Sequence, residues 1–77
     1  MQIAQVPSKP GTHTLQASSD DWAALRAQLP LVQPATITSE FDRAFNLGIG
    51  PNEAVRITCS PRLAKAVLDV AHQARRR

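Results

Sequence analysis

The sequence has little of what most small proteins use to reinforce their fold. Its 77 residues include one cysteine, one tryptophan, two phenylalanines and no tyrosine. The lone Cys59 excludes an intramolecular disulfide, which is the usual reinforcement of small secreted domains. Residues 1–11 also contain no apolar run of signal-peptide length. Both absences predict a cytoplasmic protein.

Residues that bind metals or cofactors are equally scarce. Two histidines and one cysteine are too few and too scattered for a zinc site, which needs three or four grouped ligands. Gly48 and Gly50 lack the spacing of a phosphate-binding loop, so they predict a turn. No apolar run approaches the length of a membrane span. The sequence therefore predicts no metal, no cofactor, no membrane association and no catalytic constellation.

Cys59 is the one candidate nucleophile. It falls between a predicted strand and a predicted helix start, where backbone N–H groups and the helix dipole lower the pKa of a thiol. Neither His13 nor His72 has a spacing that places it beside Cys59. Because free cysteine is among the most buried residue types, burial at the strand end is the preferred interpretation. A thiol enzyme is the third hypothesis.

The clearest pattern is a strand followed by a helix in the last third of the chain. Residues 55–59 alternate apolar and polar side chains, which predicts a strand. Ser60 suits the N-cap and Pro61 the first position of a helix that continues to the C-terminus. Its apolar face contains Leu63, Val67, Val70 and Ala74. Its opposite face is mainly basic and carries Arg62, Lys65, Asp69, His72, Gln73 and Arg76.

The preceding residues predict a strand, a helix and a more ambiguous segment. Residues 12–17 suit a strand, and Ser18 with Asp21 suits a capping box. The helix that follows has Trp22, a predicted core anchor, and Leu25 and Leu29 on one face, and Pro30 ends it at Leu29.

Residues 35–46 contain two different signals. The β-branched side chains of residues 35–38 predict a strand, and residues 39–46 predict a short helix that begins at Ser39. Residues 1–11 are either a flexible arm or the first strand of a hairpin, and both alternatives stay open.

These elements predict an α+β protein with one compact domain over residues 12–77. The predicted order is β-α-β-(short α)-β-α, in a small two-layer sandwich where two main helices, including the C-terminal amphipathic helix, cover one face of a short sheet. A core of this size leaves little stability to spare, which favours a homodimer or docking on a partner.

The charge pattern indicates a binding function. Nine Lys and Arg residues against six acidic residues give a net charge of +3. The leading hypothesis is a non-catalytic regulator or inhibitor, of the phage, plasmid or operon accessory type, that docks on the acidic surface of a protein. The alternative is a dimeric nucleic-acid-binding transcriptional regulator. The candidate binding residues are Arg62, Lys65, Arg75, Arg76 and Arg77.

Overall fold

The structure, a computed structural model, describes residues 2–48, 50–51 and 53–75. Residues 74 and 75 are described by their helix backbone alone. The elements are β1 (Ala4–Val6), β2 (His13–Ala17), α1 (Ser19–Val32), α2 (Ala35–Asn46), β3 (Val55–Cys59) and α3 (Pro61–Arg75). The predicted α+β class is confirmed. The order is β-β-α-α-β-α, so the predicted order is wrong in its first half.

The three strands form one antiparallel sheet in the order β1-β2-β3. Residues 4–6 therefore form the first strand of a hairpin, which is one of the two alternatives for the N-terminal residues, with Gln5 opposite Leu15. On the other side of β2, Leu15 lies opposite Ile57 of β3. Burial alternates along β3, where Val55, Ile57 and Cys59 are buried and the residues between them are exposed. This alternation shows that the helices cover one face of the sheet.

Helix α2 replaces the strand and the short helix that the sequence predicts for residues 35–46. Pro34 lies directly before it in an extended conformation, with φ −66° and ψ 160°. Ile37, Thr38 and Phe41 are buried on one side of the helix. Burial of this face outweighs the small preference of β-branched residues for strands. Ser39, the predicted cap, is instead an exposed residue inside the helix.

The predicted end of α1 at Leu29 is also wrong, because the helix includes Pro30 and runs to Val32. Pro30 is exposed, and the missing N–H of a proline removes only one helical hydrogen bond. The N–H of Gln33 donates to the carbonyl oxygen of Leu29 at 2.8 Å and closes another turn. The buried side chain of Leu29 anchors this turn.

Two of the three serines predicted as N-caps, Ser18 and Ser60, do cap their helices. The Oγ of Ser18 accepts the N–H of Asp21 at 3.1 Å, and the Oγ of Ser60 accepts the N–H of Leu63 at 3.2 Å. The predicted return contact from Asp21 is replaced by another one, since its Oδ2 accepts the N–H of Gln2 at 3.4 Å. This contact ties the N-terminal segment to α1.

Trp22 is a core anchor, as the sequence predicts. Its side chain is fully buried, and its Nε1 donates to the carbonyl oxygen of Val55 at 3.0 Å. Its ring centroid lies 5.8 Å from that of Phe41. Helix α3 packs on β2 and β3, and both other helices pack against α3. Its predicted apolar residues Leu63, Val67 and Val70 are all buried; the side chain of Ala74 lies outside the description.

The described residues of the segment before β3 form a turn, as predicted. Gly50 has a φ of +132°, and a Cβ at this position would collide with the carbonyl oxygen of Ala54. The N–H of Ala54 donates to the carbonyl oxygen of Pro51 at 2.9 Å. Glycine at position 50 therefore serves a tight backbone approach. Across the described residues, no helix is both long enough and apolar enough to cross a bilayer.

Candidate functional site

An open groove of about 250 Å³ lies between α3 and the junction of α1 with α2. We call it the junction groove and define it by its lining residues, which are Gln33, Ile37, Arg62, Lys65, Ala66 and Asp69. Ile37 and Ala66 are almost fully buried, whereas Arg62, Lys65 and Asp69 are exposed. The groove thus has an apolar floor and a charged rim. It brings together two of the predicted binding residues, Arg62 and Lys65.

Arg62 is held in place by the neighbouring helix α2. Its Nη2 lies 2.9 Å from Oε2 of Glu40, and the Oγ of Ser60 donates to the other carboxylate oxygen of Glu40 at 2.6 Å. Ser60 is also the N-cap of α3 through its contact with Leu63. The carboxylate of Glu40 therefore joins α2 to the first turn of α3, beside the groove.

The surroundings of Glu40 favour its charged form. The hydrogen bond from Ser60, then that from Arg62, and the positive charges of Arg62 and Arg43 hold the pKa of this carboxyl below its ordinary value of 4.5, against the opposing effect of burial. Glu40 therefore keeps its charge to a lower pH than an unperturbed glutamate does. Its negative charge offsets part of the positive charge of Arg62, although the Arg62 side chain remains 72% exposed.

The groove is consequently less basic than the sequence predicts for this helix face. Arg26–Asp42 and Arg62–Glu40 are the ion pairs among the described residues, and Lys65 belongs to neither. Asp69 lies one helical turn after Lys65 on the same rim. Lys65 is therefore the cation of the rim that is not engaged within the described part of the chain.

The other three predicted binding residues, Arg75, Arg76 and Arg77, are not assigned to this groove. Arg75 is the last residue of α3, and its side chain lies outside the description, as do Arg76 and Arg77 entirely. Their assignment to a binding surface stays a prediction from the sequence. The candidate site is therefore built on Arg62, Lys65 and the residues around them.

Cys59 has the properties of a core residue. It is 1% exposed, and burial, with a smaller contribution from the charge of Glu40, raises the pKa of its thiol from 9.0 to about 12. A thiol with this pKa carries almost no thiolate at neutral pH. The preferred interpretation of Cys59, burial at the strand end, is confirmed.

A second opening, of about 150 Å³, lies between α1 and α2. Its lining residues are Ser19, Trp22, Ala23, Arg26, Phe41, Asp42 and Phe45. At its edge, Arg26 Nε lies 2.7 Å from Asp42 Oδ1, and both side chains are partly exposed. The charges of this rim neutralise each other, and no residue predicted to bind a partner lies there. We therefore place the candidate site in the junction groove.

Neither Glu40 nor the apolar residues near the groove are marked as site residues by any motif in the sequence. Once residues 35–46 form one helix, Glu40 follows Ile37 by three positions and so lies close to it on the helix surface. Leu31 and Val32, which lie beyond the predicted helix end at Leu29, are the last residues of α1 and are 75% and 52% exposed. Helical periodicity continues through residues 35–46, and this is the signal that would have placed Glu40 close to Ile37 on one helix.

The junction groove presents a small set of polar and charged groups. Its side chains offer one amide, two cations and one carboxylate around an apolar floor. Among the described residues, no three His, Cys, Asp or Glu side chains lie close enough together to hold a metal ion. Comparison of the chain with protein-family models, with curated proteins and with solved structures finds no match.

Proposed function

We propose that this chain is a small non-catalytic protein-binding module, a regulator or inhibitor, that docks through the junction groove on an acidic partner protein. The observation that carries the proposal is the position of Lys65 and Arg62 on the rim of a groove with an apolar floor. An apolar centre with a polar rim is the usual anatomy of a protein interface. The net charge of +3 favours encounter with an acidic surface.

The size of the groove supports a protein partner over a small molecule. Its volume of about 250 Å³ is below the roughly 300–1,000 Å³ typical of small-molecule sites. It is also open along α3, so it suits one or two side chains of a partner. The buried, protonated thiol of Cys59 supports a function that does not depend on thiol chemistry.

The test compares two lysines that undergo the same change of charge. Lys65→Glu alters the groove, and Lys9→Glu alters an exposed residue ahead of β2. The tagged full chain and both variants are used for affinity capture from cells that naturally express it, with quantitative mass spectrometry. We expect Lys65→Glu to weaken binding of the partner roughly tenfold, which corresponds to about 1.4 kcal/mol of binding free energy, and so to reduce its recovery. Lys9→Glu should recover it normally.

If both variants recover the partner as well as the wild type does, the groove is not the docking surface. Loss of recovery in both would mean that net charge, and not the groove, governs binding. Far-UV circular dichroism of each variant checks that the fold is intact, which we expect because both lysines are exposed.

A nucleic-acid-binding dimer is the second candidate, and the open face of the sheet favours it. This face carries Thr14, Gln16, Arg56 and Thr58 without an acidic residue. The Nε of Arg56 donates to Oε1 of Gln16 at 2.9 Å, which leaves the Nη nitrogens as donors for phosphate. A DNA mobility shift that weakens steeply with salt, is lost in Arg56→Gln and occurs without a protein partner would favour this function.

A further inference from the structure

The sheet has two outer strands, and the rest of the chain covers them unequally. Strand β3 is covered, because a Cβ at Gly48 would lie 3.2 Å from the carbonyl oxygen of Arg56. Strand β1 has β2 on one side, and within the described residues no helix or further strand makes more than a marginal contact with it. Alternate backbone N–H and C=O groups of β1 therefore point away from β2 without a strand to receive them.

The edge of β1 also lacks the charges that commonly keep an outer strand from pairing. Many proteins place Lys or another charged side chain on an exposed edge, where it repels a second strand. Residues 2–8 carry no charged side chain, and the first one in the chain is Lys9. Ala4 and Gln5 are exposed and Val6 is half-buried. Two copies of this edge can therefore meet without repulsion between like charges.

The length of β1 and the proline after it leave one register for pairing with a second copy. Pro7 has no N–H to donate, so the ladder ends before it. Two antiparallel copies of Ala4–Val6 pair all three residues only when Gln5 lies opposite Gln5 of the second copy. This arrangement has a twofold axis at Gln5, and it is closed because both copies use the same edge.

We infer that two copies of this chain associate through β1 and form a dimer with a continuous six-stranded sheet. A second copy is the occupant that the edge favours, since the uncharged segment selects neither an acidic nor a basic partner, and a small core gains stability by association. Two strands of three residues bury little area, so the dimer is weak and depends on concentration. The inference is separate from the proposed function, because β1 contributes no residue to the junction groove.

Sedimentation equilibrium of the full chain, from about 10 μM to about 1 mM, tests the association. Gln5→Lys and Gln5→Glu each place two like charges opposite each other at the twofold axis, whereas an equimolar mixture of the two variants places opposite charges there. Thr58→Lys is the matched control, because Thr58 is an exposed residue of the other outer strand.

We expect the mass of the wild type to rise with concentration towards twice the monomer mass. Each variant of Gln5 alone should associate at least about fivefold more weakly, the mixture should recover the association of the wild type, and Thr58→Lys should behave like the wild type. The inference is overturned if the wild type stays monomeric, if neither variant of Gln5 weakens association, if the mixture associates no better than either variant alone, or if Thr58→Lys has the larger effect.

A covalent link provides a second readout that adds no charge to the edge, and it decides the question if a charged variant fails to fold. Opposite residues of antiparallel strands have Cα atoms about 4.5–5.5 Å apart, which is within the range of a disulfide. Gln5→Cys should therefore form a covalent dimer with oxidised glutathione, whereas Thr58→Cys should not; the native Cys59 is buried in both. No link through position 5, or equal linking at both positions, contradicts the inference.

Discussion

At the scale of single residues, two buried side chains show how neighbouring groups set chemical properties. The indole nitrogen of Trp22 is satisfied by the carbonyl oxygen of Val55, so a large ring enters the core without leaving a polar atom unpaired. Cys59 is buried on the same side of the sheet as Ile57, close enough to Glu40 for that charge to oppose ionisation of its thiol. Burial makes Trp22 an anchor of the core and gives the thiol of Cys59 a low reactivity.

The reactivity of Cys59 tests this description. At pH 8 we expect the native chain to react with a chromogenic disulfide reagent at least a hundredfold more slowly than the chain in urea. The reason is that burial excludes the reagent and that raising the pKa from 9.0 to about 12 lowers the thiolate fraction roughly a thousandfold. Cys59→Ser is the blank. Rapid reaction of the native chain would restore the thiol-enzyme hypothesis.

At the scale of elements, local signals in the sequence succeeded where one side chain decides the backbone. Ser18 and Ser60 cap their helices because a serine hydroxyl satisfies an N–H of the first turn wherever the helix is packed. The alternation of residues 55–59 determined β3 in the same way. These signals depend on neighbouring residues in the chain, so the sequence alone contains them.

The sequence misled where tertiary packing decides the backbone. Thr36 and Ile37 have side chains suited to strands, but the burial of Ile37 with Phe41 makes α2 helical from its first residue. Pro30 favours a helix end, but Leu29 is buried in the hydrophobic core, and this burial keeps the last turn of α1 helical. The sequence therefore predicted only the α3 side of the junction groove. Gln33 and Ile37 line its other side, at the end of α1 and in α2, where the prediction was wrong.

The contact between α2 and α3 gives stability a specific dependence on pH. The pKa of Glu40 is below its ordinary value of 4.5 in the folded chain, so the unfolded chain binds its proton more readily. The stabilisation is present above about pH 4.5 and is lost as the pH falls through the lower, folded pKa. We expect Glu40→Gln to reduce the free energy of unfolding at pH 7 by about 0.5–1.5 kcal/mol, the net range for one hydrogen-bonded group.

Urea unfolding at several pH values between 3 and 7 measures this effect. The difference between the wild type and Glu40→Gln should shrink below pH 4.5, as both then carry an uncharged side chain at position 40. Glu53→Gln is the control because Glu53 is exposed ahead of β3. A constant difference across this pH range would show that the charge of Glu40 does not stabilise the contact.

At the scale of the whole molecule, residues 2–6 are joined to the sheet, the core and α1. Strand β1 completes the sheet beside β2, Ile3 packs against the hydrophobic core, and the N–H of Gln2 contacts Asp21 at the start of α1. Because a chain of 77 residues has a small core, the burial of one further apolar side chain such as Ile3 is a sizeable share of its stability.

Substitution of Ile3 tests whether this segment is part of the cooperative unit. Ile3→Ser removes half-buried apolar surface, so we expect it to lower the free energy of unfolding by about 1 kcal/mol. The fluorescence of Trp22, which is fully buried in α1, reports urea unfolding at a distance from the substitution along the chain. A lower midpoint shows that loss of a contact in the N-terminal segment destabilises the helices as well. Ala4→Ser, at an exposed neighbouring position, should leave the midpoint unchanged, and an unchanged midpoint in Ile3→Ser would mean that the segment folds independently of the core.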